Sequence, residues 1–178
     1  MFMQEIEAKI LEIKREKVEY GLAKMGARKV FDGEMETFFY DFKDGSIVKS
    51  RNVLRLRREG TQVVLTYKNV TANREAKIAE EYSVVVSDLA GIQKILEELG
   101  FVLIESMQKH RTRYDLNGAH FDIDRYSGKY EYIPEFLEIE TDSIENIYSY
   151  ARAMGFKKDQ CLPWSTAQVI EHYAEKKK

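Results

Sequence analysis

The chain has 178 residues, 44% of them hydrophobic and 33% charged, with a formal net charge of -2. That apolar fraction and an aromatic content of 12% exclude a disordered chain. The near-neutral balance excludes a whole-molecule electrostatic signature for nucleic acid or acidic membranes. Cys161 is the one cysteine, so no internal disulfide forms and a reducing cytoplasm is the expected setting. No signal pattern opens the chain and no apolar run reaches membrane-spanning length, so one soluble domain over residues 1–178 is expected.

In chain order, Glu5-Ile6-Glu7-Ala8-Lys9-Ile10 alternates charged and apolar residues, the period of a half-buried strand. Glu16 to Gly26 reads as a helix with Val18, Leu22 and Met25 on one side, closed by a glycine suited to the left-handed position. Lys29 to Phe42 is an aromatic-rich strand, and Asp44-Gly45-Ser46 supplies turn chemistry. Val53 to Arg58 and Val63 to Lys68 form a hairpin through Glu59-Gly60-Thr61-Gln62, followed by a polar loop from Asn69 to Lys77 and a strand from Ala79 to Ser87. Ser87-Asp88 caps a second helix carrying Leu89, Ile92, Leu96 and Leu99, which Gly100 ends.

A long strand from Phe101 to Tyr114 turns at Asn117-Gly118 into a return strand from His120 to Tyr126. Ser127 to Pro134 is a loop, and Phe136 to Thr141 is a strand. Asp142 and Glu145 have capping-box spacing before a third helix, with Gly155 at its end. Ser165 caps a last helix whose Lys176-Lys177-Lys178 tail complements its dipole. The fold class is α+β, dominated by antiparallel hairpins.

Alternation puts the charges of these strands on shared faces. Glu5, Glu7 and Lys9 line one face; Arg55 and Arg57 another; Lys68 goes with Thr66; Lys109, Arg111 and Arg113 go together, as do Asp122 with Asp124 and Glu138 with Glu140. Each opposite face is good core material. An ordinary solvated face has no need of repeated arginine, and cations and carboxylates fall mostly on different strands, as if sorted. A sheet can turn such a face inward and keep it wet only by curling around a channel, with its apolar faces outward under the helices. Polyphosphate is the chemistry that needs this lining. Arginine forks bind phosphate oxygens bidentately, lysine supplies point charge, and carboxylates hold a hard divalent cation. No Cys/His cluster of zinc type competes.

These residues resemble the CYTH family, the triphosphate tunnel metalloenzymes. Glu5-Ile6-Glu7-Ala8-Lys9 is similar to its ExExK signature. Leu54-Arg55-Leu56-Arg57, Leu65-Thr66-Tyr67-Lys68, Lys109-His110-Arg111, Phe121-Asp122-Ile123-Asp124 and Leu137-Glu138-Ile139-Glu140 follow in family order, to about the third helix. The resemblance implies an eight-stranded antiparallel β tunnel with a charged lumen and flanking helices. It implies magnesium or manganese as cofactor, with Glu5, Glu7, Asp124, Glu138 and Glu140 on the metal side and Asp122 sharing their face. Lys9, Arg55, Arg57, Lys68, Lys109 and Arg111 fall on the phosphate side, with Arg113 sharing that face and Lys9 and Arg57 nearest the chemistry.

Glu81 matches one of two acids that relatives often carry on their strand, with Ser83 at the other position, so one metal or two stays open. Asn69-Val70 stands where cyclase-like members often carry Gly-Pro, which favours a triphosphate phosphohydrolase (thiamine or inorganic triphosphatase-like) over a class IV adenylyl cyclase. A non-catalytic triphosphate binder is the third reading. The expected partner is a small-molecule triphosphate, not nucleic acid or a membrane, and a homodimer is left open. His110 and His120 have no carboxylate or cysteine partner at ligand spacing and read as structural. So do His172, Trp164 and Cys161.

Overall fold

The computed structural model describes the chain from Gln4 to Thr71 and from Lys77 to Lys176. Its elements are β1 (Gln4–Ile10), α1 (Arg15–Met25), β2 (Arg28–Phe42), α2 (Ser46–Lys49), β3 (Val53–Glu59), β4 (Gln62–Thr71) and β5 (Lys77–Val86), then α3 (Leu89–Glu98), β6 (Phe101–Leu116), β7 (Ala119–Ser127), β8 (Phe136–Thr141), α4 (Ile144–Ala153) and α5 (Thr166–Lys176). No helix among the described residues is long and apolar enough to cross a membrane.

The caps show where local chemistry set the boundaries. Gly26 closes α1 at φ 82°, and the Asp88 carboxylate accepts the amides of Ala90 and Gly91 at the start of α3. Ser165 and Gln168 exchange side-chain and backbone bonds at the start of α5, a complete capping box. At α4 the cap is Ser143, whose hydroxyl accepts the Asn146 amide, and not Asp142, which instead accepts from the Asn146 side chain. The turn after β2 holds the short helix α2, because the Asp41 carboxylate accepts the amides of Phe42, Ile47 and Val48. The reading of a loop from Asn69 is corrected as well, since β4 stays paired with β5 through Thr71, opposite Ile78. Residues 72–76 and 177–178, parts of the expected loop and of the lysine tail, lie outside the described residues.

The sheet is a closed barrel in the order β1-β5-β4-β3-β2-β6-β7-β8, every described pair antiparallel. Closure comes from β1, which pairs with β8 along Ile6–Ile10 and with β5 along Gln4–Glu7. Where β5 ends, Lys9 exchanges two 2.8 Å backbone bonds with Leu162, so the segment before α5 completes the wall.

The apolar faces point outward. Ala8, Ile10, Phe121, Ile123, Leu137 and Ile139 pack under α1 and α4, and Tyr40, Leu54, Leu56 and Val63 pack under α2 and α3. Cover is incomplete at β5, where the outward Tyr82 and Val84 are each about half exposed. On the inner face, Tyr126 and Phe136 pack against Val169 and Tyr173 of α5, so aromatic and apolar side chains fill that end of the lumen.

Outside the barrel, His110 lies between two acids, with Nε2 2.7 Å from Asp32 Oδ1 and Nδ1 3.0 Å from Glu34 Oε1. Hydrogen bonds to Glu34 and Asp32 outweigh burial and raise the imidazole pKa. A group raised in the folded state stabilises fully below its ordinary value and loses that contribution as pH rises through the folded one. Thermal melts taken between about pH 6 and 9 should show a wild-type decline, worth at most ~1 kcal/mol, that His110→Asn lacks. Parallel curves for the two proteins would remove this ion pair from the account.

Candidate active site

The lumen is built by register. Residues opposite one another on neighbouring antiparallel strands share a face. The pairs Lys9 with Glu138, Glu138 with Asp122, Asp122 with Arg113, and Asp124 with Arg111 therefore all project inward. Glu7, Glu140, His120, Asp115 and Arg28 form the adjoining level in the same way. On the other wall, Arg55 and Arg57 of β3 face Thr66 and Val64 of β4, and Lys68 faces Glu81 of β5.

Strands of opposite sign are neighbours, so the expected sorting of charge resolves into pairs. Lys9 is only 2% exposed, with Nζ 3.0 Å from Glu138 and 3.2 Å from Glu7. Burial disfavours its charge, but Glu138 and Glu7 overcome this and hold the ammonium above its ordinary pKa. Burial works against Glu138 in the same way. Lys9, Arg111 and Lys109 hold that carboxyl well below the usual range.

Arg111 donates from Nε to Asp124 Oδ1 at 2.7 Å and from Nη2 to Oδ2 at 2.6 Å, and its Nη1 meets Asp122. Arg113 donates from Nε and Nη2 to the two oxygens of Asp122, both at 2.7 Å. Lys109 also donates to Asp124, yet burial and then the Arg111 charge push its pKa down to about 8. Across the lumen, Lys68 pairs with Glu81, whose other neighbours are Ser83 at 2.8 Å and Arg55 at 3.8 Å. Against burial, Lys68 and Arg55 take this carboxyl to about 2.

Arg57 differs from all of these. Its Nε and that of Arg55 are buried with no hydrogen-bond partner among the described residues, and the nearest carboxylate to Arg57, Glu59, is 3.7 Å away. Burial lowers the Arg57 pKa to about 10, and the charges of Arg55, Arg111 and Arg113 add to the shift. A cation desolvated among three others is a site short of negative charge.

The sequence-derived set thus comes together around one lumen, except that the Glu5 side chain lies outside the described residues. Among the described residues, the inward-facing Arg28, Asp115, His120 and Glu59 were missed. Asp115 and His120 share the level of Glu140, with His120 Nδ1 2.7 Å from Asp115 Oδ1, and Glu59 serves Arg57. His120 keeps the parity of Asp122 and Asp124, which was the signal available for it. His110, one residue off the parity of Lys109 and Arg111, faces outward.

For a divalent cation, the donors present are carboxylate oxygens. Glu7 and Glu140 stand directly opposite on one face with Glu138 beside them, and Lys9 Nζ donates to Glu7 at 3.2 Å. Among the described residues no three acids gather closely enough to hold an ion by themselves. The set fits a hard ion that takes one or two carboxylates and completes its shell with phosphate and water.

The chain is similar to a candidate adenylate cyclase of Methanocaldococcus jannaschii, 24% identical over 169 residues that cover 90% of this chain and 94% of that protein. Its fold is similar to that of a candidate adenylate cyclase from Vibrio parahaemolyticus, with TM-score 0.80, 15% identity and coverage of 96% and 99% of the two chains. It is also similar to a Hippeastrum candidate adenylyl cyclase described as having a dominant triphosphatase activity, with TM-score 0.68, 15% identity and coverage of 94% and 95%. A CYTH domain model matches residues 3–154, which hold every strand of the barrel and each charged pair of its lumen, and so the chain belongs to the CYTH family.

Proposed function

We propose that this protein is a cytoplasmic phosphohydrolase that binds a small-molecule triphosphate in the barrel lumen and cleaves a terminal phosphoryl group. The observation that carries the reading is the Arg57 environment, a half-buried guanidinium with a buried, unpartnered Nε beside Arg55, Arg111 and Arg113, whose nearest carboxylate among the described residues lies beyond hydrogen-bond distance. A linear triphosphate supplies the missing charge along its length, and guanidinium forks take its oxygens two at a time.

Glu7 and Glu140, with Glu138 beside them, would hold magnesium or manganese, which when bound screens phosphate charge and polarises the attacked phosphorus. Arg55 and Arg57 offset the charge that develops on the leaving phosphate oxygens. Lys68 and Lys109 extend the cationic wall, once their carboxylate partners share them with substrate. Lys9 stays protonated, so it orients a water by donating to it and does not take its proton. The part-buried lumen keeps bulk water from screening these contacts.

One observation favours a second reading: the Methanocaldococcus relative is named for adenylate cyclase activity. In that case the ribose 3′-hydroxyl attacks the α-phosphorus and pyrophosphate leaves. The same cationic wall serves both reactions, so products decide. Turnover over a panel of nucleotide, thiamine and inorganic triphosphates with magnesium or manganese should release orthophosphate. Cyclic nucleotide with pyrophosphate would establish the cyclase instead, and tight binding without product would leave a triphosphate-binding protein.

A further inference from the structure

We infer that Asp122 and Asp124 are positioning residues that hold Arg113 for the anion, Asp122 directly and Asp124 through Arg111, and that neither is a metal ligand; this deepens the triphosphate reading and rests on it. Asp124 is completely buried and Asp122 is 2% exposed. Each of their four oxygens already accepts a charged donor. Asp124 Oδ1 takes Arg111 Nε at 2.7 Å, and its Oδ2 takes Arg111 Nη2 at 2.6 Å together with Lys109 Nζ. Asp122 Oδ1 takes Arg113 Nε, and its Oδ2 takes Arg113 Nη2 together with Arg111 Nη1. An ion bound there would have to strip buried guanidinium forks from their counter-ions, leaving cations uncompensated away from water.

The same bonds define what the aspartates do. A fork bonded through Nε and one Nη fixes the guanidinium plane and leaves the other edge to face a ligand. Arg113 is held in this manner, with a side chain 22% exposed toward the lumen. Arg55 and Arg57, on the opposite wall, have no such fork. The lumen therefore offers one pinned arginine, Arg113, backed by the buried Arg111, and one adaptable pair. Fixing Arg113 in advance removes rotamer entropy that anion binding would otherwise cost.

Two effects of removing Asp122 oppose each other, which makes its sign decisive. Losing a negative charge near an anion site strengthens anion binding by Coulomb attraction alone, whereas losing the fork weakens it. Asp122→Asn and Asp122→Glu should be prepared, the second keeping the charge but moving the carboxylate by one methylene. Tripolyphosphate affinity would be measured calorimetrically with metal chelated, and manganese affinity separately by electron paramagnetic resonance. Both variants should lose about tenfold or more in tripolyphosphate affinity and keep manganese affinity within about twofold. A role in folding alone would lower the melting temperature and leave both affinities unchanged in the folded fraction, which would overturn the inference. So would weakened manganese binding with tripolyphosphate affinity kept or raised. If Asp122→Asn does not fold, Asp122→Glu carries the same test. Wild-type protein that binds tripolyphosphate no better than sulfate would sink the triphosphate reading and this inference with it; the variant outcomes above sink this one alone.

Discussion

Arg57→Ala should raise the triphosphate concentration needed for half-maximal turnover by roughly one to two decades, without making the free protein less stable. The two halves of that expectation come from one environment. Toward substrate, Arg57 offers a guanidinium whose Nε is unengaged, and a lost charge-assisted contact costs about 1.5–3 kcal/mol. Toward the empty protein, the same group is half-buried and repelled by Arg55, Arg111 and Arg113, with Glu59 at 3.7 Å its main compensation. Removing it relieves repulsion in the free barrel and removes attraction in the bound one. Steady-state kinetics at several metal concentrations, paired with melting of the free protein, checks both halves. A variant with unchanged substrate requirement, or with a markedly lower melting temperature, would mean that Arg57 is a structural cation and that the anion site lies elsewhere.

Ile139→Asp should unfold the protein, while Glu140→Gln one residue away should leave it folded with reduced turnover. Ile139 is completely buried, opposite Ala8 on β1 and Phe121 on β7, in the cluster that α4 covers. A carboxylate there has no partner, and an unpaired buried charge costs on the order of 3–5 kcal/mol, most of the margin of a small domain. Glu140 is on the opposite face, beside Glu7 and His120 at the wetter level of the lumen. Replacing it with glutamine removes a charge from partly hydrated surroundings and strands nothing in the core. Circular dichroism melts that show Ile139→Asp as stable as wild type would invert the assignment of inner and outer faces.

The strand faces were legible because period-two alternation is local information: Leu137 and Ile139 against Glu138 and Glu140 can be sorted without knowing any neighbour. Pairing across strands was only partly legible. The Asn117-Gly118 turn joins β6 to β7 with Leu116 opposite Ala119, and that short turn alone sets Arg113 opposite Asp122 and Arg111 opposite Asp124. The forks that neutralise both arginines were therefore within reach of the sequence, yet the acids read as sorted away from the cations. Lys9 against Glu138 was out of reach, since nothing local tells β1 that its partner is β8. The aromatic filling of one end by α5 is likewise a tertiary fact, because Tyr126 and Phe136 carry the parity of the lumen but the chemistry of a core. At α4, Asp142 and Glu145 had capping-box spacing, and Ser143 took the cap because its hydroxyl reaches the Asn146 amide.

Closure of the barrel through β1 also has a consequence during synthesis. Lys9 leaves the ribosome well before the residues that seal its two sides, Glu138 and Leu162, which lie more than a hundred positions later in the chain. At 5–20 residues per second the nascent β1 waits on the order of ten seconds with both edges open. An open strand with one apolar face is a template for pairing with another nascent chain, and inward-pointing charges are a known defence. Glu7 and Lys9 stand on β1 where such a defence belongs. The side chains that later face the ligand would then first keep an unfinished barrel from joining its neighbours, and neutralising them should lower soluble yield at 37 °C even where the purified protein melts normally.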